Sequence, residues 1–260
     1  MPKINHNYNY KKSKKNSSLI IFIHGAGCDQ TFWSLLNRYY YFKGFSTLAI
    51  NFPGHGDHVG KGLSSIDEMA KFVQNIAKKY STKENILIGH SMGSLVCLSI
   101  LISKLFSIKK AILIGVAFPM KVSSFLLNIS KKNSREAIEK MIHWSFSSAS
   151  KLRGNHLIGF NLPNFVNVLM NKTSEKNLYR DLNACDKYLV ELEKIKKIDT
   201  PCLIIAGSRD IMTPAKNGYI LSRSMKNSSI EVIDNCGHFH IHEKSNEVRT
   251  LVSSYIENKI

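Results

Sequence analysis

Five residues, Gly89-His90-Ser91-Met92-Gly93, carry the spacing G-x-S-x-G and invite nucleophilic chemistry. They follow the short apolar run Asn85-Ile86-Leu87-Ile88 and precede a stretch, Ser94 to Leu105, that is apolar at helical spacing. A serine on a sharp turn between a strand and a helix has its hydroxyl lifted above the sheet edge, within reach of a substrate. The turn is tight, so small residues are needed two positions before and two after the serine, and Gly89 and Gly93 meet that need. A serine hydroxyl is a weak nucleophile until a base takes its proton. In this strand–turn–helix arrangement an acid and then a histidine are expected downstream.

Pro201-Cys202-Leu203-Ile204-Ile205-Ala206-Gly207 has the composition of a buried parallel strand. It ends in Ser208-Arg209-Asp210, and an acid past the carboxyl end of such a strand points into the crevice where α/β sheets bind ligands. The competing role for Asp210 is to cap a helix starting near Pro214. A further strand, Ser229 to Asp234, leads through the turn Asn235-Cys236-Gly237 to His238, the candidate base. His238, His240 and His242 alternate, which on a strand would place them on one face like metal ligands. No carboxylate or cysteine pattern completes such a site, and the preceding turn argues for a loop, so no metal is assigned. His240 and His242 are read as ordinary loop or helix-entry residues. His90 and the histidines of Pro53-Gly54-His55-Gly56-Asp57-His58 are read as structural or pocket-lining, and His6, His143 and His156 carry no signal.

Attack on a carbonyl generates an oxyanion that needs fixed N–H donors. One candidate is the backbone N–H of Met92, at the start of the following helix, where the dipole favours negative charge. The other is the N–H of Ala26, in the loop His24-Gly25-Ala26-Gly27 that follows the strand Leu19-Ile20-Ile21-Phe22-Ile23.

The chain resembles the α/β-hydrolase superfamily over nearly all its length. The resemblance rests on His24-Gly25-Ala26-Gly27, Asn51-Phe52-Pro53-Gly54-His55-Gly56, Gly89-His90-Ser91-Met92-Gly93, Gly207-Ser208-Arg209-Asp210 and Gly237-His238, in that order. It implies a nucleophile at Ser91, an acid at Asp210, a base at His238 and no cofactor. Asn51 stands where the superfamily usually has aspartate, a departure that touches loop structure rather than the triad. A serine at the elbow separates the chain from members with aspartate there, the haloalkane dehalogenases and epoxide hydrolases, and from dienelactone hydrolases with cysteine. Some members place the acid one strand earlier; here that strand, Ala111 to Gly115, runs into Val116-Ala117-Phe118 without an acid.

These residues need a scaffold. Thr47 to Ile50 reads as another parallel strand, and Asn7 to Lys12 as an antiparallel edge strand. Ser65-Ile66-Asp67-Glu68 has capping-box spacing, followed by Ile66, Met69, Ala70, Val73, Ile76 and Ala77 on one helical face. Val248, Leu251, Val252, Tyr255 and Ile256 mark a final helix. The alternation predicts an α/β fold, a doubly wound, mostly parallel sheet. Some eighty residues after the Ala111 strand lack a strand signal. They include a helix over Asn133 to Phe146 and an apolar series at Leu178, Leu182, Cys185, Leu189 and Leu192. The expected division is a core of residues 1–117 and 199–260 and a helical cap of residues 118–198, as the superfamily implies. Phe118, Met120, Phe125, Leu126, Met141, Trp144 and Phe146 are candidates to line an acyl cavity, with His24 as a further pocket candidate; the alternative for most is cap core.

Of 260 residues, 43% are hydrophobic and 21% charged, an ordinary globular balance. No apolar run reaches the roughly 20 residues of a membrane span. Residues Met1 to Ser18 are lysine-rich and lack the apolar stretch of a signal peptide. Five cysteines without pairing or metal spacing fit a reducing cytoplasm. The net charge of +17 arises mainly from scattered lysines; the arginine forks and interleaved aromatics of a nucleic-acid binder are not evident. The expected partner is a small acyl substrate, and the reaction an ester or similar acyl cleavage. Carbon–carbon bond hydrolases, lactonases, thioesterases and aminopeptidases share this layout, and a catalytically silent receptor is the alternative from another class.

Overall fold

A computed structural model describes residues 8–15, 18–82, 84–148, 150 and 161–260; His6, Asn7 and His156 lie outside these. Among the described residues seven strands form one sheet: β1 (Tyr8–Lys11), β2 (Leu19–Ile23), β3 (Ser46–Ile50), β4 (Asn85–His90), β5 (Lys110–Ile114), β6 (Cys202–Gly207) and β7 (Ser228–Ile233). Their spatial order is β1-β3-β2-β4-β5-β6-β7. The edge strand β1 runs antiparallel to β3, with Tyr8 opposite Ile50, and all other pairs are parallel. β2 to β6 are buried along their whole length, as expected of strands covered on both faces.

Helices α1 (Ser34–Phe42), α2 (Ile66–Ala77), α3 (Met92–Ser103), α9 (Ala215–Ser224) and α11 (Ser245–Ile256) alternate with the strands, together with the short α10 (His240–Glu243). The six apolar positions predicted for one face of α2 are all buried. Its N-cap is Ser65, whose side chain accepts the Glu68 N–H, but the Glu68 carboxylate reaches one residue further back, to the N–H and hydroxyl of Ser64. α3 is buried all round from Met92 to Leu101, which marks it as the central helix. β5 starts one residue earlier than expected because Lys110 joins it. The Lys110 ammonium donates to the carbonyl of Tyr255 and to Asn258 Oδ1, neutralising the carbonyl end of α11.

Between β5 and β6 the described chain is helical: α4 (Ser124–Lys132), α5 (Ser134–Ser145), α6 (Leu162–Met170), α7 (Glu175–Lys187) and α8 (Leu192–Lys196). Asn133 caps α5 by accepting the Glu136 N–H at 3.3 Å, at the predicted start. The expected apolar series is corrected at its end. Leu178, Leu182 and Cys185 are buried on α7, but Leu189 and Leu192 are 61% and 48% exposed. The chain leaves the helical region at Tyr188 (ψ 108°), whose ring turns inward to meet Phe118, so the later positions lose the helical phase.

Candidate active site

Ser91 sits between β4 and α3 with φ 52° and ψ −117°, a conformation that costs a non-glycine residue roughly 1–3 kcal/mol. The neighbouring strand holds it there. The Ser91 N–H donates to Ile114 O at 2.9 Å, and the Ser94 hydroxyl donates to Gly89 O and Ile114 O. The two glycines are required by space. A Cβ on Gly89 would lie 2.4 Å from Gly93 O, and one on Gly93 only 2.1 Å from Ile23 O. α3 therefore packs with its first turn directly against the end of β2, which brings the β2 loop beside Ser91.

In that loop the Cys28 N–H donates to Gly25 O at 3.2 Å, with Gly27 at φ 69°. The turn bond leaves the Ala26 N–H outside the closed ring, on the loop that lines the cavity with Ser91. The Met92 N–H belongs to the first residue of α3 and so has no intrahelical acceptor.

Asp210, past the end of β6, is buried. Its Oδ2 meets His238 Nδ1 at 2.8 Å. The same oxygen accepts the Thr213 hydroxyl at 2.6 Å, and Oδ1 accepts the N–H groups of Met212 and Thr213. Burial works to raise its pKa, but the charge and hydrogen bond of His238, with His240 and the Thr213 hydroxyl, outweigh it and hold the carboxyl well below its ordinary range. Asp210 does not cap α9, whose N-cap Pro214 has no side-chain bond; it closes the turn before that helix and meets His238 at once. Thr213, which sequence reasoning missed, also lies 3.2 Å from His238 Nδ1. Its signal was a threonine three residues after the acid, the spacing of a local side-chain turn. Among the described residues Ser91 Oγ has no hydrogen-bond partner; it lines one cavity with His238, and catalytic hydrogen bonds tighten when substrate binds.

Three further histidines, His90, His240 and His242, are buried around this pair. His240 begins α10 and is fully buried 3.8 Å from Asp210 Oδ2, while His242 packs edge-on against Phe32. Burial pushes both down to about 4. Gly115, at φ 61°, makes room for two of the rings: a Cβ there would lie 3.0 Å from His240 and 3.3 Å from His238. His90 donates from Nε2 to His238 O at 2.9 Å and lines the cavity. Among the described residues no group of three or more His, Cys, Asp or Glu is placed to hold a metal ion.

The cavity has a volume of about 360 Å³. Gly25, Ala26, Ser91 and His238 form its floor, and Met120, Leu126, Met141, Trp144 and Leu182 from the helical insertion form its apolar walls. Two pocket expectations are corrected. His24 is fully buried away from the cavity: its Nδ1–H donates to Gly25 O at 2.9 Å and its Nε2 accepts the Phe52 N–H, so it braces the loop from behind. Phe118 packs against Tyr188 and does not reach the cavity. Of the further candidates, Phe125 is half exposed and Phe146 faces a separate groove beside α6.

Residues 20–250 match the Alpha/beta hydrolase family. The chain belongs to that family and is a hydrolase. A Mycoplasma genitalium protein named as an esterase/lipase is 31% identical over 237 residues, covering 87% of this chain and 84% of its own. A Haemophilus influenzae protein named as lysophospholipase L2 is 26% identical, covering 91% and 82%. Among solved structures, an esterase from Exiguobacterium antarcticum superposes with a TM-score of 0.85 at 17% identity, over 96% of this chain and 94% of its own. No helix of the described residues is long and apolar enough to cross a membrane.

Proposed function

We propose that this protein cleaves a carboxylic ester through an acyl-enzyme. The observation that carries this reading is the buried Asp210–His238 pair opening onto the same cavity as a backbone-strained Ser91. Asp210 accepts His238 Nδ1–H, which leaves Nε2 as the basic nitrogen that takes the Ser91 proton. Ser91 attacks the carbonyl carbon, and the N–H groups of Met92 and Ala26 hold the developing oxyanion. His238 then returns the proton to the leaving alcohol, and a water activated by the same imidazole releases the acid. Every step is met by this chain's own side chains and backbone, with no cofactor assigned. Residues 1–117 and 199–260 act as the hydrolase core and residues 118–198 as a cap that excludes water and supplies the apolar wall for the acyl group. The names of the two curated relatives support an ester bond. The five cysteines are all buried and unpaired, which supports a reducing, cytoplasmic setting.

The test is Ser91→Ala on purified protein with p-nitrophenyl esters. Turnover should fall by about four to six orders of magnitude with the fold intact. Near-normal turnover in a folded variant would remove Ser91 from the mechanism. Ser91 should also be labelled by a fluorophosphonate, which a catalytically silent receptor would not be. A diketone and an aminoacyl substrate beside the esters separate carbon–carbon and peptide-bond cleavage from ester cleavage.

A further inference from the structure

Of the buried carboxylates outside the chemistry above, one reaches the loop that carries Ala26. Asp181, on α7 of the cap, is completely buried. Its Oδ2 accepts the Gly27 N–H at 2.9 Å and lies 2.8 Å from His55 Nε2. Gly27 directly follows Ala26. The next peptide, between Gly27 and Cys28, is held from the cap as well: the Thr173 hydroxyl donates to Gly27 O at 2.8 Å. Gly27 is also enclosed sterically, since a Cβ there would lie 2.8 Å from Met170 Cε.

His55 completes the clamp. Its Nδ1 lies 3.0 Å from the Pro53 carbonyl and its Nε2 against the Asp181 carboxylate. Both partners only accept, so both ring nitrogens carry hydrogen and the ring is an imidazolium. Burial opposes that charge, but the carboxylate and its hydrogen bond raise the pKa of His55 nonetheless. Nearby, Asn177 of α7 donates to Gly54 O at 3.0 Å and accepts the Gly62 N–H at 2.9 Å, so the same helix grips the loop that carries His55.

We propose that Asp181, with Thr173, is a positioning residue that sets the Ala26 N–H of the oxyanion hole from the cap, so that the hole is complete only when the cap is seated. The loop Gly25–Cys28 has one internal turn bond, and the two peptides that flank Gly27 are each fixed by a cap side chain, 26–27 through its N–H and 27–28 through its C=O. A donor displaced by about 1 Å from an oxyanion loses on the order of a hundredfold in rate, so a tether of this kind acts on the transition state while leaving ground-state binding alone. This inference rests on the reading of Ser91 as nucleophile.

Asp181→Asn, Thr173→Val and Thr173→Ser in the full chain test it, with folding checked by thermal unfolding. The readouts are kcat and KM on a p-nitrophenyl ester, affinity for an alkylboronic acid that forms a tetrahedral adduct with Ser91, and affinity for the alcohol of equal chain length. Asp181→Asn should lower kcat by roughly 10- to 100-fold, with KM within about twofold. Boronate affinity should fall in parallel while alcohol affinity holds. Thr173→Val should lower kcat by roughly 3- to 10-fold, and Thr173→Ser, which keeps the hydroxyl, should restore it. If Asp181→Asn does not fold, the Thr173 pair decides. Wild-type kcat and boronate affinity in folded Asp181→Asn or Thr173→Val would overturn the proposal, as would equal losses for boronate and alcohol, which mean a collapsed pocket. Failure of the Ser91 reading shows separately, as full turnover in Ser91→Ala.

Discussion

Acid should unfold this protein through its histidines before its carboxylates titrate. Four imidazoles are buried and neutral. His24 is held to about 3 by burial and by neighbouring His55, His240 and His242 sit at about 4 through burial, and His90 lies well below its ordinary value for the same reason. The bonding agrees for His24, whose Nε2 accepts the Phe52 N–H and so cannot carry a proton. The unfolded chain titrates these groups near 6.5. Each folded pKa is depressed, so between about 6.5 and 4 the unfolded state binds more protons and stability falls as pH falls. From pH 7 to 5.5 the linkage cost is about 1.2 kcal/mol for each of the four groups, or roughly 5 kcal/mol together. His55 works the other way. Its folded pKa is raised, so its contribution is complete below 6.5 and is lost at alkaline pH; over this interval it returns at most about 1 kcal/mol. The depressed carboxyl of Asp210 titrates far below the window and contributes nothing within it. The net loss is about 4 kcal/mol, a fall in Tm on the order of 10 °C. Urea unfolding at pH 7.0 and 5.5 measures it, and His242→Gln, neutral at both values, should remove about 1 kcal/mol of the difference. Equal stability at the two pH values, or an unchanged difference in His242→Gln, would refute the reasoning.

Three further outcomes follow from packing and bonding. Gly93→Ala places a Cβ against the backbone of Ile23 and should cost about 3 kcal/mol or more in urea unfolding, because neither β2 nor α3 can yield. Thr213→Val keeps the shape but strips a charge-assisted bond from Asp210; a loss of about 1.5–3 kcal/mol, with a lower kcat, should be seen by unfolding and ester kinetics. Across p-nitrophenyl esters of rising chain length, kcat/KM should climb about fourfold per methylene, from about 0.8 kcal/mol of burial each, until the cavity is full.

The sequence was most legible where one stretch of chain determines its own conformation. Gly89 and Gly93 are needed because a strand must turn at once into a helix, and a Cβ at either would strike backbone. The six buried positions of α2 follow from a single amphipathic face. Asp210 was legible as an acid at a strand end, yet its turn with Met212 and Thr213 was not, because a side-chain turn leaves no periodicity. His24 and Phe118 were misplaced for a related reason. His24 adjoins Gly25 and Phe118 stands two residues before Met120, both of which line the cavity, but the ring of His24 turns toward Phe52 and that of Phe118 toward Tyr188, long-range partners that leave no local pattern.

Asp181 shows where such legibility ends. On its own helix it is an acid beside an apolar stripe, one turn after Asn177, and two polar residues four apart on the buried side of α7 were the available signal. What makes it more than a buried polar side chain lies 126 residues away at His55 and 154 residues away at Gly27. A buried carboxylate without partners is too costly to retain, so its burial had to be matched by donors. The donors it found are a histidine held charged between two acceptors and the peptide next to Ala26. The helical insertion is thereby joined to the Ala26 loop by hydrogen bonds as well as by the apolar wall of the cavity, and on the proposed mechanism a change at residues 173, 177 or 181 should alter turnover even where the cavity lining is untouched.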